Sequence, residues 1–297
     1  MTDLLAPPRV EGSGRKLALS ESLAGLALVA APLGLLLTLI LLPTMAMIAG
    51  TLQVETEAGT GFGFGRYAAF FADDYAVENL RYTVVWTLIS CITALAISLG
   101  LALYLRFSSG RIATMIHALA LFPLFVPAII ISYALVRFLG PNGLFQLLLE
   151  QVGITGYRTP YLTPIGPYIG FVWESLPLPV LVLSAGLSQV SDHAIEAARD
   201  LGAGALRILV EILLPQLKRS LLISFALIFL GVIGSYTVPY LLGPPAPEMM
   251  GVFMQRTWSN LQDAKGAQVQ AVILLLMSSV VGGLYIATML RGQRDAT

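Results

Sequence analysis

Five stretches of this chain run for more than twenty residues without a formal charge: 22–54, 82–105, 112–136, 220–247 and 266–290. A sixth, 159–191, is interrupted only by Glu174. About 20 apolar residues in a helix cross roughly 30 Å of hydrocarbon. Lipid offers no partner to a bare N–H or C=O, so a spanning backbone must bond to itself. Blocks of this length suit helices, not the ~10-residue strands of a barrel. The pattern predicts an all-α, polytopic membrane protein with six transmembrane helices, at about 23–48, 83–105, 112–136, 164–187, 221–242 and 267–290. Composition agrees, because only 11% of the residues are charged, whereas a soluble domain needs about 25% to wet its surface.

A net charge of zero argues against nucleic acid as a partner and against a polybasic membrane patch. Cys91 stands alone, so no intrachain disulfide forms, and its apolar neighbours make it a packing residue. His117 and His193 are too far apart in sequence for a local metal motif, and His117 reads as a packed side chain. The first apolar run exceeds a signal-peptide core and lacks a small-residue cleavage site, so it reads as a retained span. With both termini on one side, that side holds 11 of the 17 lysines and arginines and the other holds 6. The positive-inside rule then places both termini in the cytoplasm. On the outer side, 55–83 begins glycine-rich and ends as an amphipathic helix, and 140–164 carries a short apolar helix among turn residues. Prolines 123, 127, 177, 179 and 239 can kink their spans.

Between predicted spans four and five the chain gathers eight of its charges, from Asp192 to Arg219. Ser191 or Asp192 can cap a helix there, and "HAIEAARDL" is rich in helix formers. Glu196 lies beside Arg199 and Asp200 at the i+3 and i+4 positions. Gly202 and Gly204 permit a turn, and a second helix follows with Leu206, Leu209, Val210, Leu213 and Leu217 on one side. That amphipathic pattern predicts a helix lying on the membrane surface until Pro215 bends it toward span five.

The spacing is specific. Glu196-Ala197-Ala198, then Gly202, then nine residues, then Ile212-x-Leu214-Pro215 resembles the EAA motif in membrane subunits of binding-protein-dependent ABC importers of the MetI-like, type I class. The resemblance covers about residues 80–290. It implies that the helix around Glu196, Ala197, Ala198, Arg199 and Asp200 is a cytoplasmic coupling helix between spans four and five, docked on an ATPase. It also implies two cytoplasmic ABC ATPase subunits, a second permease subunit (a heterodimer before a homodimer), an external substrate-binding protein and the bacterial inner membrane. ATP and Mg belong to the ATPases. A Walker loop needs a lysine after glycine, and Lys16, Lys218 and Lys265 all follow other residues. The chain is therefore expected to hold no cofactor and to be no enzyme itself. The division implied is 1–22 as a cytoplasmic segment, 23–79 as first span and outer loop, 80–290 as permease core and 291–297 as a cytoplasmic tail.

Glu174, in "GFVWESLPLPVLVL", is the one formal charge inside a predicted span. A carboxylate near mid-membrane costs at least about 2.5 kcal/mol unless it faces a cavity or partner. Beside it Trp173 offers a π face to a cation; the alternative is a structural carboxylate bonded to a neighbouring helix. The segment 229–255, with Val238-Pro239, Leu241-Leu242-Gly243 and Met250-Gly251, is similar to spermidine/putrescine-type permeases, although Pro244 replaces the glycine often found there. That similarity adds Ser235, Tyr236 and Tyr240 to the candidate substrate path and favours a polyamine or related organic cation. Iron, thiamine, phosphonate and opine permeases share much of the segment and stay open. An ion-gradient-driven secondary transporter would call for matching halves, and an intramembrane enzyme for a nucleophile with its base; neither pattern is present. A purely structural subunit leaves the coupling motif without a role.

Overall fold

The computed structural model describes residues 25, 28–56 and 59–294, with the side chains of 55–60 and 289–294 undescribed. The chain divides into two compact units, one up to Gly63 and one from Phe64 onward. The first contains helix α1 (Leu28–Leu52) and a hairpin, β1 (Gln53–Thr56) with β2 (Gly59–Phe62), paired antiparallel from Gln53↔Phe62 to Thr56↔Gly59. These are the only strands among the described residues. The predicted start of span one, 23–24 and 26–27, lies outside the described residues.

The second unit contains α2 (Gly65–Ala72), α3 (Asp74–Phe107), α4 (Arg111–Leu121), α5 (Ala128–Leu139), α6 (Leu144–Gln151), α7 (Ile165–Ser175), α8 (Pro177–Ser188) and α9 (Asp192–Asp200). It continues with α10 (Ala205–Ile233), α11 (Thr237–Leu242), α12 (Met250–Ser259) and α13 (Ala264–Arg294). Among the described residues five helical stretches, with α5 and α6 (Ala128–Gln151) counted as one, are long and apolar enough to cross a membrane, and six when the bent pair α7–α8 counts as one crossing. The chain is an all-α, polytopic membrane protein.

Helix α3 organises the bundle. Asp73 caps it, accepting the Tyr75 N–H at 3.0 Å, and 34 residues give a rod about 50 Å long. One face carries small or polar side chains with no exposure: Thr83, Thr87, Ser90, Ala94, Ser98 and Ala102. Small residues let helix backbones approach closely, and close approach is how bundles gain dispersion energy without a hydrophobic drive. Helices α8 and α10 pack on α3, and α13 packs on α10. Cys91 is fully buried among them, as its sequence context suggests. His117 differs from expectation, being exposed on α4.

The breaks follow the prolines. The predicted third span, 112–136, is two helices. After α4 a 3-10 turn runs over Phe122–Phe125 with Pro123 near its start. Val126, before Pro127, is forced to an extended ψ of 113°. The fourth span bends by 43° between α7 and α8, at Pro177. The fifth ends at Ile233, and α11 around Pro239 is a separate short helix.

The expected surface helix before span five is also revised, because α10 runs unbroken past Pro215. A π-turn over Leu209–Leu213 precedes the proline, with the Leu214 N–H bonded to the Leu209 carbonyl. The wider turn makes room for the ring and for the carbonyl it leaves unbonded. The same device, a π-turn over Leu37–Leu41, precedes Pro43 in α1. Leu213 and Leu217 are buried as expected, whereas Leu206 is 74% exposed.

At Gly186 in α8, an added Cβ would collide with Ser220 Oγ and stand 3.0 Å from Leu217 Cδ2 on α10. Gly186→Val should therefore destabilise the fold by about 1–3 kcal/mol, read as a lower thermal midpoint in detergent. Gly100→Val, with open space at its Cβ, should leave the midpoint unchanged.

Candidate functional site

The motif residues fall on two helices, α9 and the start of α10. The first, α9, carries Glu196, Ala197, Ala198, Arg199 and Asp200. It starts at Ser191, which takes the N-cap backbone conformation but makes no side-chain cap bond. It ends in a Schellman arrangement, with Ala203 N–H on the Ala198 carbonyl at 2.9 Å and Gly202 N–H on the Arg199 carbonyl at 2.8 Å. That ending requires a positive φ, and Gly202 supplies it at +82°. Ile195 faces inward at 3% exposure and joins a cluster with Ala102, Leu183, Leu187, Val190 and Leu217, and Ala198 packs at its edge. The opposite face, with His193, Glu196, Ala197 and Asp200, is exposed. Glu196 Oε2 lies 3.8 Å from His193 Nδ1, rather than on Arg199 as the spacing suggested. The exposed Arg199 borders a cavity of about 430 Å³ with Leu103, Phe107, Ala203 and Leu206. Ile212 and Leu214 lie in and just after the π-turn of α10, and Pro215 follows. There Arg207 and Glu211 pair at 2.8 Å.

Arg106, in the last turn of α3, donates from Nη2 to Asp192 Oδ1 at the start of α9 and reaches the Val190 carbonyl at 3.5 Å. This contact ties the start of α9 to the Phe107 end of α3.

Glu174 sits one residue before the end of α7, where the helix bends into α8. It lines a cavity of about 150 Å³ with Leu124, Phe171, Ser175, Ile228 and Gly231, between the bend and α10. The bend is held from α3, where Ser98 Oγ donates to the Leu176 carbonyl at 3.5 Å. Trp173 meets Phe122 edge to face, with centroids 6.4 Å apart. Tyr236 and Tyr240 stack on each other at 5.1 Å. Of the five candidates Glu174 alone lines this cavity; Trp173, Ser235, Tyr236 and Tyr240 do not. Among the described residues no cluster of three or more metal-ligating side chains occurs.

At the Asp74 end of α3 lies a site that the sequence reading missed. Asn79 Oδ1 accepts the Glu248 N–H and Thr83 Oγ1 accepts the Met250 N–H, each at 2.8 Å. The Tyr75 hydroxyl donates to Glu248 Oε1 at 3.1 Å and accepts from Arg256 at 2.7 Å. Arg256 also pairs with Glu248, and its guanidinium lies 5.2 Å from the Tyr75 ring centroid. Burial raises the Glu248 carboxyl above its ordinary value, opposed by Arg256 and Tyr75. An acid raised on folding stabilises the fold at low pH and loses that contribution as pH rises through the folded value. Nothing local announces the contacts from Tyr75, Asn79 and Thr83, because their partners are 167 or more residues away in sequence.

A family profile described as "binding-protein-dependent transport system inner membrane component" matches residues 92–291. The chain is 24% identical over 266 residues to the spermidine/putrescine transport system permease protein PotB of Escherichia coli (strain K12), covering 88% of this chain and 94% of PotB. It is 25% identical over 274 residues to the sulfoquinovosyl glycerol transport system permease protein SmoG of Agrobacterium fabrum, covering 87% and 88%. Its fold resembles a chain of a bacterial alginate ABC transporter solved in complex with an alginate pentasaccharide-bound periplasmic protein. That match has a TM-score of 0.73 and 17% identity, covering 94% of this chain and 96% of that one.

The Tyr75–Glu248–Arg256 network should behave as a unit. Glu248→Ala leaves Arg256 without its carboxylate and should destabilise by about 1–3 kcal/mol. Glu248→Ala with Arg256→Ala should destabilise by less than the sum of the single changes, measured as a double-mutant cycle on thermal midpoints.

Proposed function

The chain belongs to the family of binding-protein-dependent transport system inner membrane components and is a permease subunit of an ABC importer, and on that premise we propose that α9 is its coupling helix. Residues 80–290 act as the permease core and form half of a translocation path, with a second, different permease subunit supplying the other half. Both termini, 1–22 and 291–297, face the cytoplasm with α9. The segment 23–79 supplies the first span and an outer loop, and an external binding protein delivers substrate to the opposite face.

The observation that carries this reading is the build of the lever. Ile195 plugs one face into the bundle while Glu196, Ala197 and Asp200 stand free on the other. Two alanines allow close approach to an ATPase, and Glu196 offers a charge to a basic group there. ATP and Mg bind in two partner ATPases. Their closure pushes α9, the π-turn with Ile212, Leu214 and Pro215 passes the push into α10, and the bundle rearranges around the central path.

The cargo is a polyamine or related small organic cation. Support comes from Glu174, a carboxylate lining a cavity at the α7–α8 bend beside α10, with Trp173 adjacent. Tyr236 and Tyr240 present stacked rings at the far end of α10, positioned for a cation approaching from outside.

Glu196→Lys should leave membrane insertion intact and abolish transport-coupled ATP hydrolysis in the assembled importer; intact coupling overturns the role of Glu196. Glu174→Gln should lower uptake of radiolabelled polyamine by about tenfold or more, since a charge-assisted contact is worth about 1.5–3 kcal/mol. Full uptake removes Glu174 from the path.

A further inference from the structure

Helix α9 is tied to the bundle at few points. The chain links it to α8 through Val190, 3% exposed, and to α10 through the glycine turn. Ile195 fixes its middle. Its start is held from another span by Arg106, which bonds to Asp192 and reaches the Val190 carbonyl. The placement of that pair is electrostatically favoured twice. Arg106 is a cation in the last turn of α3, and Asp192 an anion in the first turn of α9, so each charge complements the dipole of its own helix. The Arg106 side chain is 25% exposed, and its guanidinium lies 5.9 Å from the Phe107 ring centroid. Leu103 and Leu99, one and two turns below, pack against the cluster that receives Ile195. Salt bridges in water contribute little to stability, so the value of this pair lies in direction: it sets the angle at which the lever leaves the bundle.

We propose that Arg106 is a positioning residue, and that its bond to Asp192 joins α3 and the α9 lever into one moving body throughout the transport cycle. The inference rests on the reading of α9 as the coupling helix. A push on α9 then reaches α3 directly, as well as α10 through the chain. Because the fully buried face of α3 packs on α8 and α10, one joint carries the motion into the whole bundle.

The test uses the complete importer, with its ATPases and partner permease, in proteoliposomes. Arg106→Asp and Asp192→Arg, made singly, should each lower transport per ATP hydrolysed at least fivefold while the ATPases stay bound. Arg106→Lys, and the two reversals combined, should return the ratio to within twofold of the parent. The double variant Arg106→Cys with Asp192→Cys should be uncoupled until a short bismaleimide bridges the two thiols, and then recover; Cys91 is fully buried and serves as its own control in the parent chain. A swap that fails to restore coupling in an assembled complex, or a bridge that arrests transport, overturns the proposal. If Glu196→Lys leaves coupling intact, the reading of α9 itself fails; if Glu196→Lys uncouples while the Arg106 and Asp192 variants do not, only the joint fails.

Discussion

The bundle depends on how closely α3 lets its neighbours approach. Along one face its side chains shrink to serine, threonine, alanine and cysteine, and each is withdrawn fully from the surface. In lipid no water is released when two apolar helices meet, so attraction has to come from contact at short range. A leucine at Ser98 or Ala94 would hold α8 and α10 off this surface. The bend held at Leu176 would lose its tie to Ser98, and the lever cluster its floor at Ala102.

From that axis the two ends of the molecule divide their work. At the Asp74 end, Asn79 and Thr83 accept hydrogen bonds from the backbone N–H groups of Glu248 and Met250, and the Tyr75–Glu248–Arg256 group clamps the connection between α11 and α12. At the Phe107 end, Arg106 and the leucine cluster hold α9 and leave its polar face clear. Between them lie the α7–α8 bend and the Glu174 cavity. A rod about 50 Å long thus contacts the 248–250 loop, the α7–α8 bend and the start of α9.

What could be seen in the sequence was what is encoded locally. Uncharged length announced the helices, and Gly202 six residues after Glu196 announced the lever's end, because one residue must take a left-handed φ there. The proline breaks were half legible. Pro123 and Pro127 marked a kink, but not that a 3-10 turn over Phe122–Phe125 would split the third span into two helices. Pro215 read as a bend, and the π-turn that absorbs it is a matter of backbone geometry that side chains do not advertise. Contacts across the fold were not legible. Arg106 and Asp192 are 86 positions apart; in the sequence Arg106 counts only as one of the cytoplasmic cations and Asp192 only as a candidate helix cap. Asn79 and Thr83 belong to no sequence motif, and nothing local says that they bind a loop more than 160 positions away.

The central claim is that the exposed face of α9 meets a nucleotide-driven motor. Photo-crosslinking in intact cells from a photoreactive side chain introduced at position 197 reads this contact without presuming any transport assay. The account predicts an adduct with a cytoplasmic ATPase subunit whose yield changes between the nucleotide-free and ATP-trapped states. An adduct formed only with lipid, or with a protein on the outer side of the membrane, would contradict it.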